Sequence, residues 1–214
     1  MTAVILCNGD FPRRDYPLYL LRSADIIVCC DSASNVRRLA GLGLEPTAIV
    51  GDMDSTPASV RKSFADRMVK VDEQDYNDLN KAFLWLRETH PDVHDIHILG
   101  AGGKNEAHTL GNLSYLMFWE QEHRLSASGF SVDMVSDYST AFAISDSCEL
   151  HVGQGRKVSL FAADPSLRIK SAGLTWPTDD VKLDFWFKGS LNRACDDVVS
   201  LSLNHPAPVL VVLD

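Results

Sequence analysis

The stretch Ile26–Asp54, IIVCCDSASNVRRLAGLGLEPTAIVGDMD, contains the pattern that decides the fold. It begins with an uninterrupted apolar run, Ile26–Cys30, which ends on Asp31 and is followed by a segment with helical spacing. It closes with a second apolar run, Ala48–Val50, and another acidic turn. Short apolar runs bounded by turn residues indicate buried strands. A strand, a helix and a strand in succession predict parallel pairing through a right-handed crossover.

The same alternation extends over the whole first half of the chain. The predicted strands are Val4–Cys7, Ile26–Cys30, Ala48–Val50, Met68–Val71 and Ile96–Leu99. The predicted helices lie near residues 16–22, 32–42, 57–66, 77–88 and 106–121. In the fourth helix one face collects the apolar residues Leu79, Ala82, Phe83 and Leu86, as expected when a helix packs on a sheet. We therefore predict an α/β domain with a parallel sheet over residues 1–125.

The texture changes at about residues 122–130, where helical periodicity fades and Gly and Pro begin to separate short alternating segments. The predicted strands of this second half are Ser131–Val135, Ala141–Ile144, Glu149–Val152, Lys157–Phe161, Leu167–Ser171, Val181–Phe187, Val198–Leu203 and Val209–Leu213. Regularly spaced short strands with turn signals are typical of antiparallel sandwiches. The predicted fold class is thus an N-terminal α/β domain followed by a C-terminal antiparallel β-sandwich over residues 126–214.

Composition excludes several classes of function. The 214 residues have a net charge of −9 and no cluster of Lys and Arg, so partners such as nucleic acid or an anionic membrane are not expected. The apolar start, Met1–Cys7, lacks a basic leading region and is interpreted as a strand rather than a signal peptide. The five cysteines show no metal-binding spacing, which favours reduced thiols in a cytoplasmic protein.

Acidic residues follow three successive strands of the predicted parallel sheet. They are Asp31, Asp52, Asp54, Asp75 and Asp78. Ligands of such sheets bind beyond the carboxyl ends of the strands, so these five carboxylates are expected on one edge. Because clustered anions repel one another, the pattern predicts divalent cations there. Oxygen ligands favour Mg²⁺ held together with substrate phosphates.

Each of these residues also has an ordinary structural interpretation. A single Asp beside a loop is more often a turn residue or a helix cap, and Asn77 or Asp78 opens a predicted helix. Lys81 lies three residues after Asp78 on the same helix face. It forms either a plain ion pair or a contact to a phosphate oxygen, and the sequence leaves both open.

A glycine-rich turn, Gly100–Gly103, follows the fifth predicted strand. Small residues there let the backbone approach a ligand closely. His108 and Asn112 share a face of the next helix, although a helical His is more often a structural hydrogen-bonding group. No P-loop motif and no serine nucleophile elbow is present in the sequence.

Taken in order and spacing, these motifs resemble thiamine pyrophosphokinases along essentially the whole chain. The matching segments are Asn8-Gly9, Asp31-Ser32-Ala33, Gly51-Asp52-Met53-Asp54-Ser55, Gln74–Ala82, His108–Asn112, Ser159-Leu160-Phe161, Gly173–Pro177 and Gly189–Asn192. The resemblance implies transfer of a diphosphate from ATP to the hydroxyl of thiamine. It also implies a homodimer that holds thiamine between the α/β domain of one subunit and the sandwich of the other.

The resemblance also implies roles for individual residues. Asp52, Asp54 and Asp78 would bind Mg²⁺, or Mn²⁺, together with ATP, and Lys81 and His108 would contact the phosphates. Further ATP-side residues would be Asp31, Gln74, Asp75, Asn77, Asn105 and Asn112. Trp176 would stack on thiamine, and Ser190 and Asn192 would hydrogen-bond to its aminopyrimidine ring.

The chain departs from the family pattern in the loop before His108. Asn105 and Ala107 stand where the family has Arg and Asp, whereas Lys104 and Glu106 keep similar charges one residue away. If this change weakens the site, Asn105→Arg with Ala107→Asp should raise kcat/KM. If Lys104 and Glu106 take over the roles, that double replacement should not help. The alternative functions are a catalytically weakened thiamine- or nucleotide-binding homologue and a pyrophosphokinase acting on a pterin-type alcohol.

Overall fold

The computed structural model describes residues 1–54 and 56–214, so Ser55 of the predicted Gly-Asp-Met-Asp-Ser motif lies outside the described residues. The chain divides into two compact units. The first comprises residues 1–112 and 130–137, and the second comprises residues 113–129 and 138–214. The proposed functional division at residue 125 remains a prediction.

The first unit is built on six strands. These are β1 (Thr2–Leu6), β2 (Ile26–Cys30), β3 (Ala48–Gly51), β4 (Met68–Lys70), β5 (Asp95–Leu99) and β6 (Ser131–Val135). Their spatial order is β6-β5-β1-β2-β3-β4, and every neighbouring pair is parallel. The predicted α/β fold with a parallel sheet is confirmed.

Five α-helices accompany these strands among the described residues. They are α1 (Asp15–Ser23), α2 (Ala33–Gly41), α3 (Ala58–Ser63), α4 (Asp78–Thr89) and α5 (Glu106–His123). Side-chain caps begin α2 and α4: Ser32 accepts a hydrogen bond from the backbone N–H of Asn35, and Asn77 accepts one from that of Asn80. Such caps stabilise a helix start by about 1 kcal/mol.

The central strands explain why this sheet forms. All five residues of β2 are buried, as are four of the five in β1. One face of the sheet packs Val4, Leu6, Ile27 and Cys29 against helix residues such as Leu39. Each such Val, Leu or Ile side chain contributes roughly 1.5–3 kcal/mol when it is fully buried. No helix in the described ranges is long and apolar enough to cross a membrane.

The predicted antiparallel placement of Ser131–Val135 is wrong. This segment, β6, pairs parallel with β5, with Ile96 opposite Val132 and Leu99 opposite Val135. The alternation of side chains within a strand is the same in parallel and antiparallel sheets, so the segment's own pattern does not reveal its direction. The long helix α5 precedes it and provides the crossover that a parallel pair requires.

The second unit contains seven strands in two antiparallel sheets. They are β7 (Thr140–Ile144), β8 (Cys148–His151), β9 (Lys157–Ala162), β10 (Ile169–Ala172), β11 (Asn192–Arg193), β12 (Val198–Leu203) and β13 (Val209–Leu213). One sheet has the order β11-β9-β13-β7 and the other the order β10-β12-β8. Val158, Leu160 and Val211 of the first share one core with Ile169 and Leu201 of the second. The predicted sandwich is confirmed.

The predicted strand Val181–Phe187 is wrong. Val181 closes a turn onto the carbonyl of Thr178, and Trp186–Gly189 form a 3₁₀ turn. The alternation of Val181, Leu183, Phe185 and Phe187 suggested one buried face, but Leu183 is buried while Phe185 and Phe187 are 64% and 74% exposed. With two of its aromatic residues in solvent, the segment lacks the continuous buried face that favours a strand.

His97 on β5 and Asp133 on β6 are direct neighbours across the parallel pair. The Nδ1 atom of His97 lies 2.7 Å from Oδ1 of Asp133, and both side chains are largely buried. Burial lowers the pKa of His97, but the hydrogen bond and the negative charge of Asp133 outweigh it, so the pKa is raised. The charged imidazole is therefore the stabilised form in the folded protein.

This pair makes the free energy of unfolding depend on pH. A raised folded pKa means that the stabilisation is complete below the unfolded pKa of about 6.5. It is lost as the pH rises through the folded value. Urea titrations should show the stability difference between the parent and His97→Asn shrinking as the pH rises above about 6.5. A difference independent of pH would contradict this account. Asp133→Asn should likewise remove the dependence.

Candidate active site

A cavity of about 410 Å³ opens at the carboxyl ends of β1, β2 and β5 in the first unit. It is lined by Cys7, Asn8, Gly9, Cys30, Asp31, Asn77, Asp78, Leu79, Gly100, Ala101, Gly102, Lys104, Asn105, His108 and Asn112. Its position is the one where open α/β sheets bind ligands, and its volume suits a small molecule. Six of the sequence-predicted site residues meet there: Asp31, Asn77, Asp78, Asn105, His108 and Asn112.

Two loops form the backbone side of the cavity. The N–H of Gly9 donates to the carbonyl of Gly100 at 2.6 Å, and that of Asp10 donates to Gly102 at 2.8 Å. A Cβ atom at Gly9 would overlap both glycine carbonyl oxygens, so only glycine permits this approach. The loops after β1 and β5 are therefore held side by side.

Asn8 lies at the centre of the polar contacts on this side. Its side-chain oxygen accepts hydrogen bonds from the hydroxyls of Ser32 at 3.0 Å and Ser34 at 3.2 Å. Its backbone carbonyl accepts one from Nζ of Lys104 at 2.8 Å. Lys104 thus brings a positive charge to the rim of the cavity. The sequence pattern indicated Lys104 only as an alternative to Asn105.

An acidic wall faces the ends of β2 and β3. Asp31 is buried, and Asp78 at the start of α4 is half-buried. A Cβ atom at Gly51 would lie 2.5 Å from Cβ of Asp31 and 3.1 Å from Oδ1 of Asp78. Glycine at this position therefore lets the two acidic side chains approach. The hydroxyl of Thr56 donates to Asp31.

The pKa of Asp78 reflects its burial first and the charges around it second. Burial raises it, Lys81 lowers it, and the charges of Asp52 and Asp31 raise it further, with a raised pKa as the net result. Lys81 is buried, and its Nζ lies 3.7 Å from Oδ1 of Asp78. At Asp78 the positive charge of Lys81 is thus opposed by burial and by the negative charges of Asp52 and Asp31.

The residues fit Mg²⁺ that arrives together with phosphates. Across residues 1–54 and 56–214, no group of three His, Cys, Asp or Glu side chains is preassembled to hold a metal ion. Mg²⁺ needs no such cage, because it usually binds through one or two carboxylates while retaining waters and phosphate oxygens. The available donors are all carboxylate oxygens, which suit this ion.

Several predicted residues lie outside the cavity lining. Asp52 is half-buried and Asp54 is exposed in the turn after β3, while Lys81 lies beneath Asp78. Gln74 and Asp75 are exposed in the loop before α4. The amide of Gln74 bonds to the carbonyl of Asp72 at 3.2 Å, and the backbone of Asp75 bonds to Glu73.

Asn77 and Asn112 connect the helices to the glycine-rich loop. Asn77 caps α4 with its oxygen, and its Nδ2 donates to Oδ1 of Asn112 at 2.9 Å. The Nδ2 of Asn112 in turn donates to the carbonyl of Ala101 at 2.8 Å. His108 lies one turn before Asn112 and lines the same cavity.

Asn105 lines the cavity, and its hydrogen bonds also place it at the start of α5. Its side-chain oxygen accepts the backbone N–H of His108 at 3.0 Å, and its carbonyl accepts that of Thr109 at 3.0 Å. These are the contacts of an N-cap residue. The geometry therefore assigns capping to Asn105 and leaves the positive charge of the loop to Lys104.

The three predicted thiamine-side residues lie in the second unit, where Asn192 contacts Trp176. Trp176 is 61% exposed, and Asn192 holds its backbone, accepting from the Trp176 N–H at 3.2 Å and donating to the Trp176 carbonyl at 2.6 Å. The hydroxyl of Ser190 donates to the carbonyl of Phe187 at 2.9 Å. Trp176 therefore presents its ring to solvent from a fixed backbone.

Comparisons with known proteins agree in both halves of the chain. The sequence model for the thiamin pyrophosphokinase catalytic domain matches residues 18–127, and that for the thiamin pyrophosphokinase substrate-binding domain matches residues 140–209. A search of curated proteins finds no match.

Solved structures share the fold at low sequence identity. Thiamine pyrophosphokinase from Bacillus subtilis aligns with a TM-score of 0.77 at 18% identity, covering 100% of this chain and 99% of that one. The Candida albicans enzyme gives 0.73 at 16% identity, covering 99% and 88%. The yeast enzyme gives 0.73 at 18%, covering 100% and 86%. These structures establish the fold, and the catalytic-domain match alone spans half of the sequence, so the chain belongs to the thiamin pyrophosphokinase family.

Proposed function

We propose that this chain is a cytoplasmic thiamine pyrophosphokinase that transfers the diphosphate of ATP to the hydroxyl of thiamine, giving thiamine diphosphate and AMP. The observation that carries the proposal is the cavity of the first unit, in a chain of this family. Its acidic wall, Asp31 and Asp78, and its rim lysine, Lys104, supply the two kinds of group that a metal–polyphosphate ligand needs.

The phosphate side of the proposal assigns roles to residues around this cavity. Asp52, Asp54 and Asp78 would hold Mg²⁺, with Asp31 adding negative charge from its buried position. Bound there, the ion would neutralise phosphate oxygens and draw charge from the departing group. Lys104 and His108 would contact phosphate oxygens from the other side. Gln74 and Asp75, in the exposed loop before α4, would also contact ATP.

The thiamine side rests on the second unit. The exposed face of Trp176 suits stacking on a cationic heterocycle, a contact that contributes about 1 kcal/mol or more when water is excluded. The hydroxyl of Ser190 would hydrogen-bond to the aminopyrimidine ring of thiamine. Asn192 uses one of its two amide N–H donors to hold the backbone of Trp176, so it would position that residue. Its other N–H would hydrogen-bond to the aminopyrimidine ring.

The reaction is a single displacement at phosphorus. The hydroxyl oxygen of thiamine attacks the β-phosphorus of ATP and loses its proton to a nearby carboxylate. The bond from that phosphorus to the oxygen bridging the α-phosphate breaks, and AMP leaves with the bridging oxygen. Such transfers depend on alignment and charge neutralisation more than on covalent catalysis. Accordingly, the residues of this chain would bind, orient and neutralise the reactants.

A binding protein without catalysis is the second candidate, and Asn105 and Ala107 favour it because they replace charged family residues. Mass-spectrometric detection of AMP and thiamine diphosphate separates the candidates. We expect both products to form with ATP, Mg²⁺ and thiamine, and neither to form without thiamine. Thiamine binding without products would favour the binding protein. Products with a hydroxymethylpterin in place of thiamine would show a pterin pyrophosphokinase.

We expect a homodimer in solution. The second unit exposes Trp176, Phe185, Phe187 and Leu191, each more than half accessible, and large exposed apolar side chains in one region mark interaction surfaces. A stable interface buries about 1,200–2,000 Å² in total, and a two-fold dimer uses one patch on both copies.

Sedimentation velocity on Phe185→Ser with Phe187→Ser tests this expectation. The parent should sediment as a dimer and the variant should shift toward monomer, with both retaining similar melting temperatures because the two side chains are already exposed. Tyr19→Ser, on exposed α1, serves as the matched control and should remain dimeric. A fully active parent monomer would contradict the proposal.

A further inference from the structure

Two buried thiols meet at the floor of the cavity. Cys7 follows β1 and Cys30 ends β2, and their Sγ atoms lie 3.7 Å apart in a thiol–thiol contact. Both residues line the cavity although each is about 5% exposed, at 6% and 5% respectively. The roles proposed above for the cavity use neither side chain.

Their arrangement follows from the register of the two strands. Leu6 is opposite Cys29 in the parallel pair, so the next residues, Cys7 and Cys30, are neighbours in turn. Because successive side chains alternate between faces, Cys29 points the other way. It packs in the core with Val4, Leu6 and Ile27, where burial raises its pKa to about 12.

The backbone spacing permits a covalent bond between the two thiols. Neighbouring strands lie about 4.8 Å apart, which falls within the range of about 4.4–6.8 Å for the Cα atoms of a disulfide. The sulfur atoms would have to close from 3.7 Å to about 2.05 Å. Side-chain rotation together with a small shift of the two strand ends would provide that movement.

We propose that Cys7 and Cys30 form a reversible disulfide when a small-molecule disulfide enters the cavity, and that this bond switches the site off. The exchange is balanced: the two thiols and the external disulfide give one Cys7–Cys30 bond and two external thiols. One cysteine first attacks the external disulfide and releases one thiol. The second cysteine then displaces the other thiol from the mixed disulfide.

The bond would act on the residues next to it. Cys7 directly precedes Asn8, which contacts Ser32 and Lys104, and Cys30 directly precedes Asp31 of the acidic wall. Drawing the two sulfurs together moves the ends of both strands, and with them the rim lysine and a wall carboxylate. This loss of activity rests on the proposed function, whereas formation of the bond does not.

Burial also sets the pace of the reaction. The hydrogen bond to Cys7 and then burial hold the pKa of Cys30 well above its usual value. Because the thiolate is the attacking form, oxidation is slower than at the exposed Cys195. The experiments therefore use the Cys195→Ser variant as the starting protein, because it removes the reaction at the exposed thiol. Cys195 lies outside the cavity lining.

The first arm of the test detects the bond itself. The Cys195→Ser protein is incubated with 2-hydroxyethyl disulfide, digested with trypsin without reduction and analysed by mass spectrometry. We expect the Cys7 peptide joined to the peptide that contains Cys29 and Cys30. Cys29→Ala is the matched control and should retain the cross-link, whereas Cys30→Ala should lose it. A cross-link that survives in Cys30→Ala, or none in any protein, overturns the proposal.

The second arm measures AMP release before and after oxidation, as a ratio within each protein. AMP release after oxidation should be at least tenfold lower than before it for the Cys195→Ser protein and for Cys29→Ala, and dithiothreitol should restore it. For Cys30→Ala, AMP release should be nearly the same before and after oxidation. ATP present during oxidation should slow cross-linking because it fills the cavity. A cross-linked protein that keeps full activity refutes the switch. If the cross-link forms on oxidation but the reduced protein releases no AMP, the proposed function is refuted and the disulfide is not.

Discussion

Asp54→Asn should lower turnover by about a hundredfold or more, and EDTA should abolish the activity of the parent protein until Mg²⁺ or Mn²⁺ is restored. Asp54 is exposed in the turn after β3, next to half-buried Asp52, whose Oδ1 accepts the N–H of Asp54 at 3.1 Å. Asp72 first, and then Asp54 and Asp52, raise the pKa of Lys70, so the acidic edge extends beyond the cavity. The neutral amide would weaken a metal–phosphate complex that this edge binds.

Stability separates this role from a structural one. Asp54 is exposed, and substitutions at exposed positions usually change the free energy of unfolding by no more than about 0.5 kcal/mol. The melting temperature should therefore stay close to that of the parent. Asp72→Asn is the matched control, because Asp72 is an exposed carboxylate 2.7 Å from Lys70 and has no proposed contact with the metal. Its turnover should remain within about twofold of the parent. Full turnover in EDTA, or a large fall in melting temperature for Asp54→Asn, would contradict the proposal.

The sequence is most informative where local pattern and global position coincide. The run Ile26–Cys30 is both the most apolar segment of its region and a central strand. The turn after it therefore had to lie at the carboxyl edge of the sheet, where Asp31 lines the cavity. The structure likewise places Asp78, at the start of α4, and His108, in the first turn of α5, in the lining of that cavity.

Other features depend on contacts that local pattern does not encode. The direction of β6 is set by its partner β5 and by the length of α5, and not by its own residues. The segment Val181–Phe187 alternates like a strand, yet its exposed aromatic residues belong to a surface. Spacing also does not show which of two adjacent polar residues caps a helix. Asn105 entered the predicted site because it stands where the family has Arg, and only the structure shows that it also caps α5 while Lys104 reaches Asn8.

Lys104→Ala should lower kcat/KM by about a hundredfold, because a charged hydrogen bond to a phosphate oxygen contributes about 1.5–3 kcal/mol. The Nζ of Lys104 already lies at the rim of the cavity, 2.8 Å from the carbonyl of Asn8. The side chain is exposed, so the melting temperature should change little. Lys104→Arg should retain part of the activity, because it keeps the charge but changes the geometry of the donors. Steady-state kinetics with ATP and with thiamine varied separately would show whether the loss falls on the nucleotide.

The double replacement Asn105→Arg with Ala107→Asp tests the same assignment from the opposite side. Asn105 caps α5 through the backbone N–H of His108, and loss of a cap of this kind costs about 0.5–2 kcal/mol. An arginine at the cap cannot accept that hydrogen bond, so the backbone N–H of His108 would lose its partner and the first turn of α5 would be less well fixed. We therefore expect kcat/KM to stay level or fall and the melting temperature to decrease, with Ala107→Asp alone as the control that leaves the cap intact. A rise in kcat/KM for the double variant, together with a nearly neutral Lys104→Ala, would show the opposite. In that case position 105 faces the phosphates and the positive charge one residue earlier does not replace it.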